Sequence, residues 1–252
     1  MRLATLNTSD GDRVVGVTGD GDETQFVDLS STDSSIPRSL KALLEQSDGL
    51  SRAATAMSAA TTAGAFVNGR LRAPIVSPGK VICIGLNYRD HAIESGAETP
   101  TEPVCFSKFS QTIIGPDDAI QLPRVSEQVD YEAELVGVIG RAGKHIAEAD
   151  ALSHVAGYMN GHDVSARDWQ AGRPGGQWLL GKTPDSFAPT GPWLVSRDEI
   201  ADPQALAMKL SVNGKSCQNG NTSTMIFGVA HLVWYLSQFM VLEAGDLIAT
   251  GT

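Results

Sequence analysis

Two glutamates in an otherwise apolar run, VDYEAELVGVIG at residues 129–140, constrain this chain more than any other feature. Side chains alternate along a strand, so Glu132 and Glu134 share one face with Asp130. Two bare carboxylates at this spacing, roughly 7 Å between backbone positions, repel by about 2–3 kcal/mol in a partly buried setting. The face must therefore either meet water or hold a cation.

Three interpretations of the paired glutamates are open at this point. A half-exposed strand would turn them to solvent, and a glycoside hydrolase would use two carboxylates, although normally across a cleft. The apolar continuation LVGVIG indicates a strand that enters a core, which favours a divalent cation with oxygen ligands such as Mg²⁺. Asp163, in NGHDVSARDWQ (160–170), ends a predicted strand and is the candidate third ligand. Its neighbour His162 would face the opposite way and is interpreted as structural.

A second group of candidate residues lies in GLNYRDHAIESG, at residues 85–96. Asn87 is a plausible N-cap, and His91 and Glu94 are three residues apart on one helical face. A histidine oriented by a carboxylate can act as a general base that activates water, whereas the alternative is an exposed surface pair. The glycines at either end would let the segment move as a lid.

A third group surrounds Lys182 in QWLLGKTPDSFAPTGPW, at residues 177–193. Lys182 is a lone lysine in a turn-rich stretch that is otherwise poor in charge, and it is either solvated or functional. Arg167 and Gln170 follow Asp163 closely and are candidates to line the same pocket. Neither GxGxxG nor GxxxxGK occurs, so a nucleotide cofactor is not supported.

Composition excludes several classes of partner. The 252 residues carry a net charge of −10, and the basic residues form no stripe, which argues against nucleic acid and anionic membranes. No apolar stretch approaches the roughly 18 residues of a membrane span. The three cysteines are far apart and fit no zinc spacing, as is typical of reduced thiols. These features predict a soluble, cytoplasmic protein.

The distribution of periodic segments predicts an α+β, β-rich chain. Residues 2–30 read as a short meander, and a linker rich in proline, at 71–80, separates a small N-terminal α/β domain (1–73) from a catalytic domain (74–252). Asn213-Gly214 is a hairpin turn signal. Helices are predicted over 37–47, 51–63, 147–154 and 228–240.

In this order, six segments resemble the fumarylacetoacetate hydrolase family. They are VICIGLNYRDHAIESG, FSKFSQTIIGP, VDYEAELVGVIG, GYMNGHDVSARDWQ, QWLLGKTPDSFAPTGPW and LEAGDLIATGT. The resemblance covers residues 75–252 and implies a mixed β-sheet roll that holds Mg²⁺ or Mn²⁺, with Ca²⁺ as a further candidate. The N-terminal part resembles the variable domain that precedes the catalytic domain in many members. The resemblance also implies a homodimer.

The resemblance assigns a role to each candidate residue. The metal ligands match Glu132, Glu134 and Asp163, and the catalytic water-activating pair on the lid matches His91 and Glu94. Catalytic and substrate-binding positions match Lys182, Arg167, Gln170 and Thr252. The family pattern usually continues with Pro and a Gly-rich loop beyond the position of Thr252, so we expect the catalytic domain to be incomplete at its C-terminal end.

These roles imply a hydrolase that cleaves a C–C bond in a 2,4-dioxo acid through a metal-stabilised pyruvate enolate. Candidate substrates are a small anionic acylpyruvate such as fumarylpyruvate, typical of aromatic catabolism, or a diketo-deoxy sugar acid. The alternative is a decarboxylase of oxaloacetate-like acids or an isomerase of 2-hydroxy-dienedioates that uses the same enolate. A different class of hypothesis is a non-catalytic scaffold with a structural Ca²⁺.

Overall fold

The computed structural model describes all residues, 1–252, as a sheet-rich α+β chain with few helices. The strands are β1 (Arg2–Thr8), β2 (Gly11–Thr18), β3 (Gln25–Asp28), β4 (Arg70–Arg72), β5 (Val81–Gly85), β6 (Val104–Lys108), β7 (Ile113–Ile114), β8 (Val129–Asp130), β9 (Ala133–Ile139), β10 (Val155–His162), β11 (Ser165–Ala166), β12 (Ala188–Ser196), β13 (Ala207–Val212), β14 (Lys215–Asn221) and β15 (Leu247–Ala249). The helices are α1 (Leu40–Leu44), α2 (Gly49–Thr62), α3 (Arg89–Ser95), α4 (Arg167–Gln170), α5 (Trp178–Lys182) and α6 (Val229–Phe239).

Eleven strands form one mixed sheet that does not close into a barrel. Its order is β3-β2-β1-β12-β10-β9-β15-β5-β6, with β4 paired to β1 and β7 paired to β12. Strands β15 and β5 are parallel, whereas β9 and β10 are antiparallel. This architecture confirms the predicted α+β, β-rich fold class.

The N-terminal strands continue the same sheet. Strand β1 pairs with β12, with Arg2 opposite Val195 and Leu3 opposite Leu194. One apolar cluster joins both parts of the chain, since it contains Leu3 as well as Val138. The division of the chain into domains at residue 74 therefore stays a prediction.

Strand β9 is an interior strand of the sheet and is buried along most of its length. On one side its apolar residues contact helix α6, whose inward face contributes Leu232, Val233 and Leu236. Strands β10 and β15 flank β9 and supply its backbone hydrogen bonds. The segment that carries the two glutamates is thus held by three neighbouring elements.

The predicted short elements differ in detail. The helix predicted over 37–47 is confined to Leu40–Leu44, and that over 147–154 is a 3₁₀ helix, Glu148–His154. Only Ala151 is buried in the latter segment, so it lacks the apolar stripe that stabilises an α-helix. The hairpin prediction is confirmed: Asn213 and Gly214 have φ of 50° and 77°, as a type I′ turn requires. No helix has the length and hydropathy needed to cross a membrane.

Candidate metal centre and active site

Glu132, Glu134 and Asp163 meet at the end of the β9–β10 pair. One oxygen from each carboxylate lies within 4.8 Å of the others, and all three residues are buried. Strand pairing explains the meeting, because His162 is opposite Ala133 and the Asp163 amide donates to the Glu132 carbonyl at 2.9 Å. Glu134 lies in β9 and Glu132 immediately precedes this strand, so alternation along the chain turns both glutamates to the side of Asp163.

Two buried lysines compensate part of this negative charge. Lys182 Nζ lies 2.8 Å from Glu132 Oε2 and 2.7 Å from Asp163 Oδ2. Lys108 Nζ lies 2.6 Å from Asp163 Oδ1, an ion pair outside the angles of a regular hydrogen bond. Lys108 also donates to two carbonyls, those of Val164 at 2.9 Å and Phe187 at 2.7 Å. The Asp163 carboxylate is therefore held between two ammonium groups.

The carboxyl groups respond differently to this environment. Burial, with the neighbouring charges of Asp163 and Glu132, raises the pKa of Glu134 well above its usual value. Burial also acts to raise the pKa of Asp163, but attraction by Lys108 and Lys182 outweighs it and lowers that pKa. Burial disfavours the charged form of Lys182, yet the same carboxylates raise its pKa. Glu134 is thus the least compensated acid of the three.

The donor set fits a hard divalent cation. All three side chains offer oxygen ligands, which Mg²⁺ and Mn²⁺ prefer, and Ca²⁺ accepts them as well. No lysine ion-pairs with Glu134, whose one hydrogen bond is from the Gly251 amide to Oε2 at 3.0 Å. A cation next to Glu134 would supply the charge that the protein itself does not.

The approach of Gly251 to the site depends on the absence of a side chain. Gly251 has a φ of 91°, and a Cβ there would lie 2.9 Å from Asn87 Cβ. Asn87 in turn donates to the carbonyls of Thr250 and Phe227 at 2.7 and 3.0 Å. Its prediction as an N-cap is therefore wrong: Tyr88 occupies that position, and the buried Asn87 side chain joins distant loops instead.

Helix α3 borders the cavity that holds the carboxylates and carries the predicted lid pair. His91 lines a cavity of about 140 Å³ with the three carboxylates and Lys182. Glu94 lines the adjoining outer pocket of about 350 Å³, which His91 also lines. Ala92 is the one buried residue of α3, so few apolar contacts anchor the helix, and Gly96 ends it with a φ of 66°. The His91 and Glu94 side chains do not hydrogen-bond to each other in this conformation.

The predicted substrate-binding residues lie at the junction of the two cavities. Arg167 donates to Glu132 Oε1 at 2.6 Å, to Asp130 Oδ2 at 2.9 Å and to Gln170 Oε1 at 2.8 Å. Thr252 lines both cavities, and its hydroxyl donates to the Ala133 carbonyl at 2.9 Å. The structure brings these residues together with the carboxylates, while their individual roles remain predictions.

Two residues of the site were missed from the sequence. Lys108 is a buried lysine at the end of the strand VCFSK, where a charge in an otherwise neutral run was the available signal. Gln218, in β14, accepts from the Ala133 amide at 2.7 Å. Nothing in the local pattern of Gln218 distinguishes it from an ordinary hairpin residue, because its partners are distant in sequence.

Comparison with known proteins gives relatives over most of the chain. It is 44% identical to oxaloacetate tautomerase fahd2, mitochondrial, of Xenopus laevis over 255 residues, which cover 100% of this chain and 79% of the relative. The mitochondrial location of such relatives contradicts our prediction of a cytoplasmic protein. Charge, cysteine spacing and hydropathy, on which that prediction was based, do not distinguish the two compartments.

Solved structures share the fold. 5-Carboxymethyl-2-hydroxymuconate delta-isomerase of Mycobacterium smegmatis is 35% identical with a TM-score of 0.76, over 100% of this chain and 87% of that structure. Maleylpyruvate hydrolase of Sphingobium sp. SYK-6, in complex with manganese(II) and pyruvate, is 29% identical with a TM-score of 0.81, over 100% of this chain and 88% of that structure.

The sequence profile described as fumarylacetoacetate (FAA) hydrolase C-terminal matches residues 80–252. This range contains all the carboxylates, lysines and lid residues described above. The chain therefore belongs to the fumarylacetoacetate hydrolase family.

Proposed function

We propose that this protein is an enzyme that moves a proton between the keto and enol forms of a 2-oxo diacid of the oxaloacetate type. The observation that carries the proposal is the cavity that His91 lines together with the three carboxylates and Lys182. Relatives named oxaloacetate tautomerases, at 44–46% identity, support this substrate class over the acylpyruvates that we favoured from the sequence.

The residues of the cavity suit an enolate. A divalent cation bound by Glu132, Glu134 and Asp163 would act as a Lewis acid towards the 2-oxo group. Lys182 stays protonated, since its pKa is raised, and its ammonium group can donate a hydrogen bond to the oxygen on which negative charge develops. The two buried carboxylates in contact with Lys182 hold that ammonium group in position before the substrate binds.

We assign proton transfer at C3 of the substrate to helix α3, the predicted lid. His91 is the one histidine that lines the cavity, and it can take the C3 proton of the keto form and give it to the enolate oxygen to form the enol. In the reverse direction it takes the enol O–H proton and returns it to C3. Glu94, in the outer pocket, can orient the imidazole once α3 closes over the substrate. Arg167 lies at the junction of the cavities, where its guanidinium can attract the second carboxylate of a diacid.

Hydrolysis of an acylpyruvate is the second candidate. The same His91 and Glu94 would then activate a water molecule, and the manganese-bound maleylpyruvate hydrolase has a similar fold. These reactions differ in what they release: tautomerisation rearranges one molecule and releases no fragment. Hydrolysis of an acylpyruvate releases pyruvate and a second acid, and decarboxylation of oxaloacetate releases CO₂ and pyruvate.

The test is a substrate panel with Mg²⁺ or Mn²⁺ that separates these products. Loss of the enol absorbance of oxaloacetate is followed in one arm, and pyruvate release from oxaloacetate and from an acylpyruvate in the others. We expect fast enol loss without matching pyruvate release, and its strong reduction in His91→Asn but not in the exposed-site control Glu98→Gln. Pyruvate release from an acylpyruvate that greatly exceeds enol conversion would refute the tautomerase proposal in favour of the hydrolase.

A further inference from the structure

Strand β9 loses its backbone partner at its N-terminal end, next to Glu132 and Glu134. Strand β15 pairs with β9 from Leu247, opposite Val138, to Ala249, opposite Val136. The last backbone contact of this kind is from the Thr250 amide to the Leu135 carbonyl at 3.0 Å. Beyond it, the N–H and C=O of Ala133 on this side need other partners, because buried backbone groups are costly when unpaired.

Two side chains replace the missing strand. Gln218 Oε1 accepts from the Ala133 amide at 2.7 Å, and the Thr252 hydroxyl donates to the Ala133 carbonyl at 2.9 Å. Gln218 Nε2 donates to the same Thr252 hydroxyl, which closes a ring of three hydrogen bonds. Ala133 is the residue between Glu132 and Glu134, so the ring holds the peptide from which both carboxylates project.

We propose that Gln218 is a positioning residue for the metal-binding carboxylates and acts on them through the Ala133 peptide. Its amide supplies the one acceptor and one donor that the ring requires, without adding charge to a site that already holds three carboxylates. A glutamate at this position would accept from Ala133 but would have no proton to donate to Thr252. Outer residues that orient ligands in this way typically change metal affinity by about 10–100-fold when they are removed.

An irregularity in the β13–β14 hairpin sets the direction of the Gln218 side chain. Leu210 is opposite Gln218, and the pairing of β13 with β14 shifts register between Leu210 and Ser211. An irregularity of this kind re-aims side chains locally. Gln218 is half-buried, and it also lines the outer pocket with Thr252. The alternative is therefore that Gln218 contacts the substrate and has no effect on the metal-binding carboxylates.

Metal titration without substrate separates the two roles. The inference rests on metal binding by the carboxylates, which is part of the proposed function, so wild-type protein is first titrated with Mn²⁺ and free Mn²⁺ is measured by electron paramagnetic resonance. We expect Gln218→Ala to raise the Kd for Mn²⁺ about tenfold or more. The control Ser216→Ala, an exposed residue on the same strand, should bind like the wild type.

A second variant shows whether weaker Mn²⁺ binding comes from loss of the ring or from a folding defect of Gln218→Ala. Thr252→Val breaks the same ring from the other side, and we expect it to weaken Mn²⁺ binding in the same direction. The double variant should lose less than the sum of the two single losses, as expected for members of one network. With Mn²⁺ saturating, the substrate KM of Gln218→Ala should stay near that of the wild type.

The outcomes are distinct. Unchanged Mn²⁺ affinity with a raised KM would overturn the positioning role and make Gln218 a substrate contact. Unchanged affinity in both single variants would overturn the ring as a determinant of the site. Absence of Mn²⁺ binding by the wild type would overturn the metal-binding part of the proposed function as well, and is recognised before any variant is compared.

Discussion

Replacing Glu134 with glutamine should stabilise the metal-free protein and abolish its stabilisation by metal. Glu134 is 3% exposed, and its carboxylate lies within 4.8 Å of two others. At that distance each pair of ionised carboxylates repels by about 3 kcal/mol with an effective dielectric constant of 20. Lys182 contacts the other two carboxylates but not Glu134, so the repulsion on Glu134 is only partly offset.

The raised pKa of Glu134 limits this cost and sets its pH dependence. The folded protein retains the Glu134 proton at a pH where the unfolded chain, with its usual value of 4.5, has lost it. Stability of the metal-free protein therefore falls as pH rises from that value through the raised pKa, by about 1.4 kcal/mol per pH unit for this group. Glutamine carries no charge and still accepts from the Gly251 amide, so Glu134→Gln escapes the loss.

We expect Glu134→Gln to gain about 3 kcal/mol of unfolding free energy over the wild type at pH 8 with a chelator present, which is the repulsion of one carboxylate pair at an effective dielectric constant of 20. For a chain of this size that is a rise in Tm of at least about 4 °C. Mn²⁺ at about 1,000 times the Kd should reverse the order, because it stabilises the wild type by about 4.1 kcal/mol and leaves the variant unchanged. Calorimetry from pH 5 to 8 measures both effects, with the exposed-site variant Glu45→Gln as control.

The difference between variant and wild type should widen with pH in chelator. A lower Tm for Glu134→Gln in chelator at pH 8 would refute the reasoning, because it would mean that the ionised carboxylate is compensated without metal. Equal Mn²⁺ stabilisation of both proteins would remove Glu134 from the ligand set.

Three further predictions concern the cations and the lid. Lys182→Met should lower kcat by about 10²–10³-fold, since it removes a donor to the developing negative charge, while Mn²⁺ titration shows that metal still binds; retained turnover would contradict its catalytic role. Lys108→Met should lower the free energy of unfolding, measured in urea, by about 3–5 kcal/mol, because Asp163 loses one of its two buried partners. The control is Lys41→Met, at a half-exposed helix position. An equal loss in both variants would argue against the buried ion pair. His91→Asn should leave Mn²⁺ affinity within about twofold while activity falls by 10²-fold or more; a parallel loss of affinity would instead indicate that His91 is a ligand.

Several features of the site follow from local sequence alone. Strand alternation is a property of the backbone, so the common side of Glu132 and Glu134 follows once VDYEAELVGVIG is recognised as a strand. The Asn213-Gly214 turn is equally local, because both residues tolerate the positive φ that a tight hairpin needs.

Other features depend on contacts across the chain. Lys182 lies 50 residues from Glu132, and Gln218 lies 85 residues from the Ala133 amide that it pairs with. Asn87 has the composition of a helix cap but donates to the Thr250 carbonyl, 163 residues away, since burial demands partners for its amide. Neither the helical nor the strand periodicity of the sequence indicates such long-range pairings.

The sequence by itself determined which acidic side chains share a face and that the apolar run LVGVIG belongs to a strand, because these follow from backbone geometry within a few residues. Only the tertiary structure decided which cations compensate those acids, and that the first strand extends the sheet beside β12. The reason is physical: the charge on a buried carboxylate depends on whatever group the fold brings within a few ångströms, and distance along the chain does not report it.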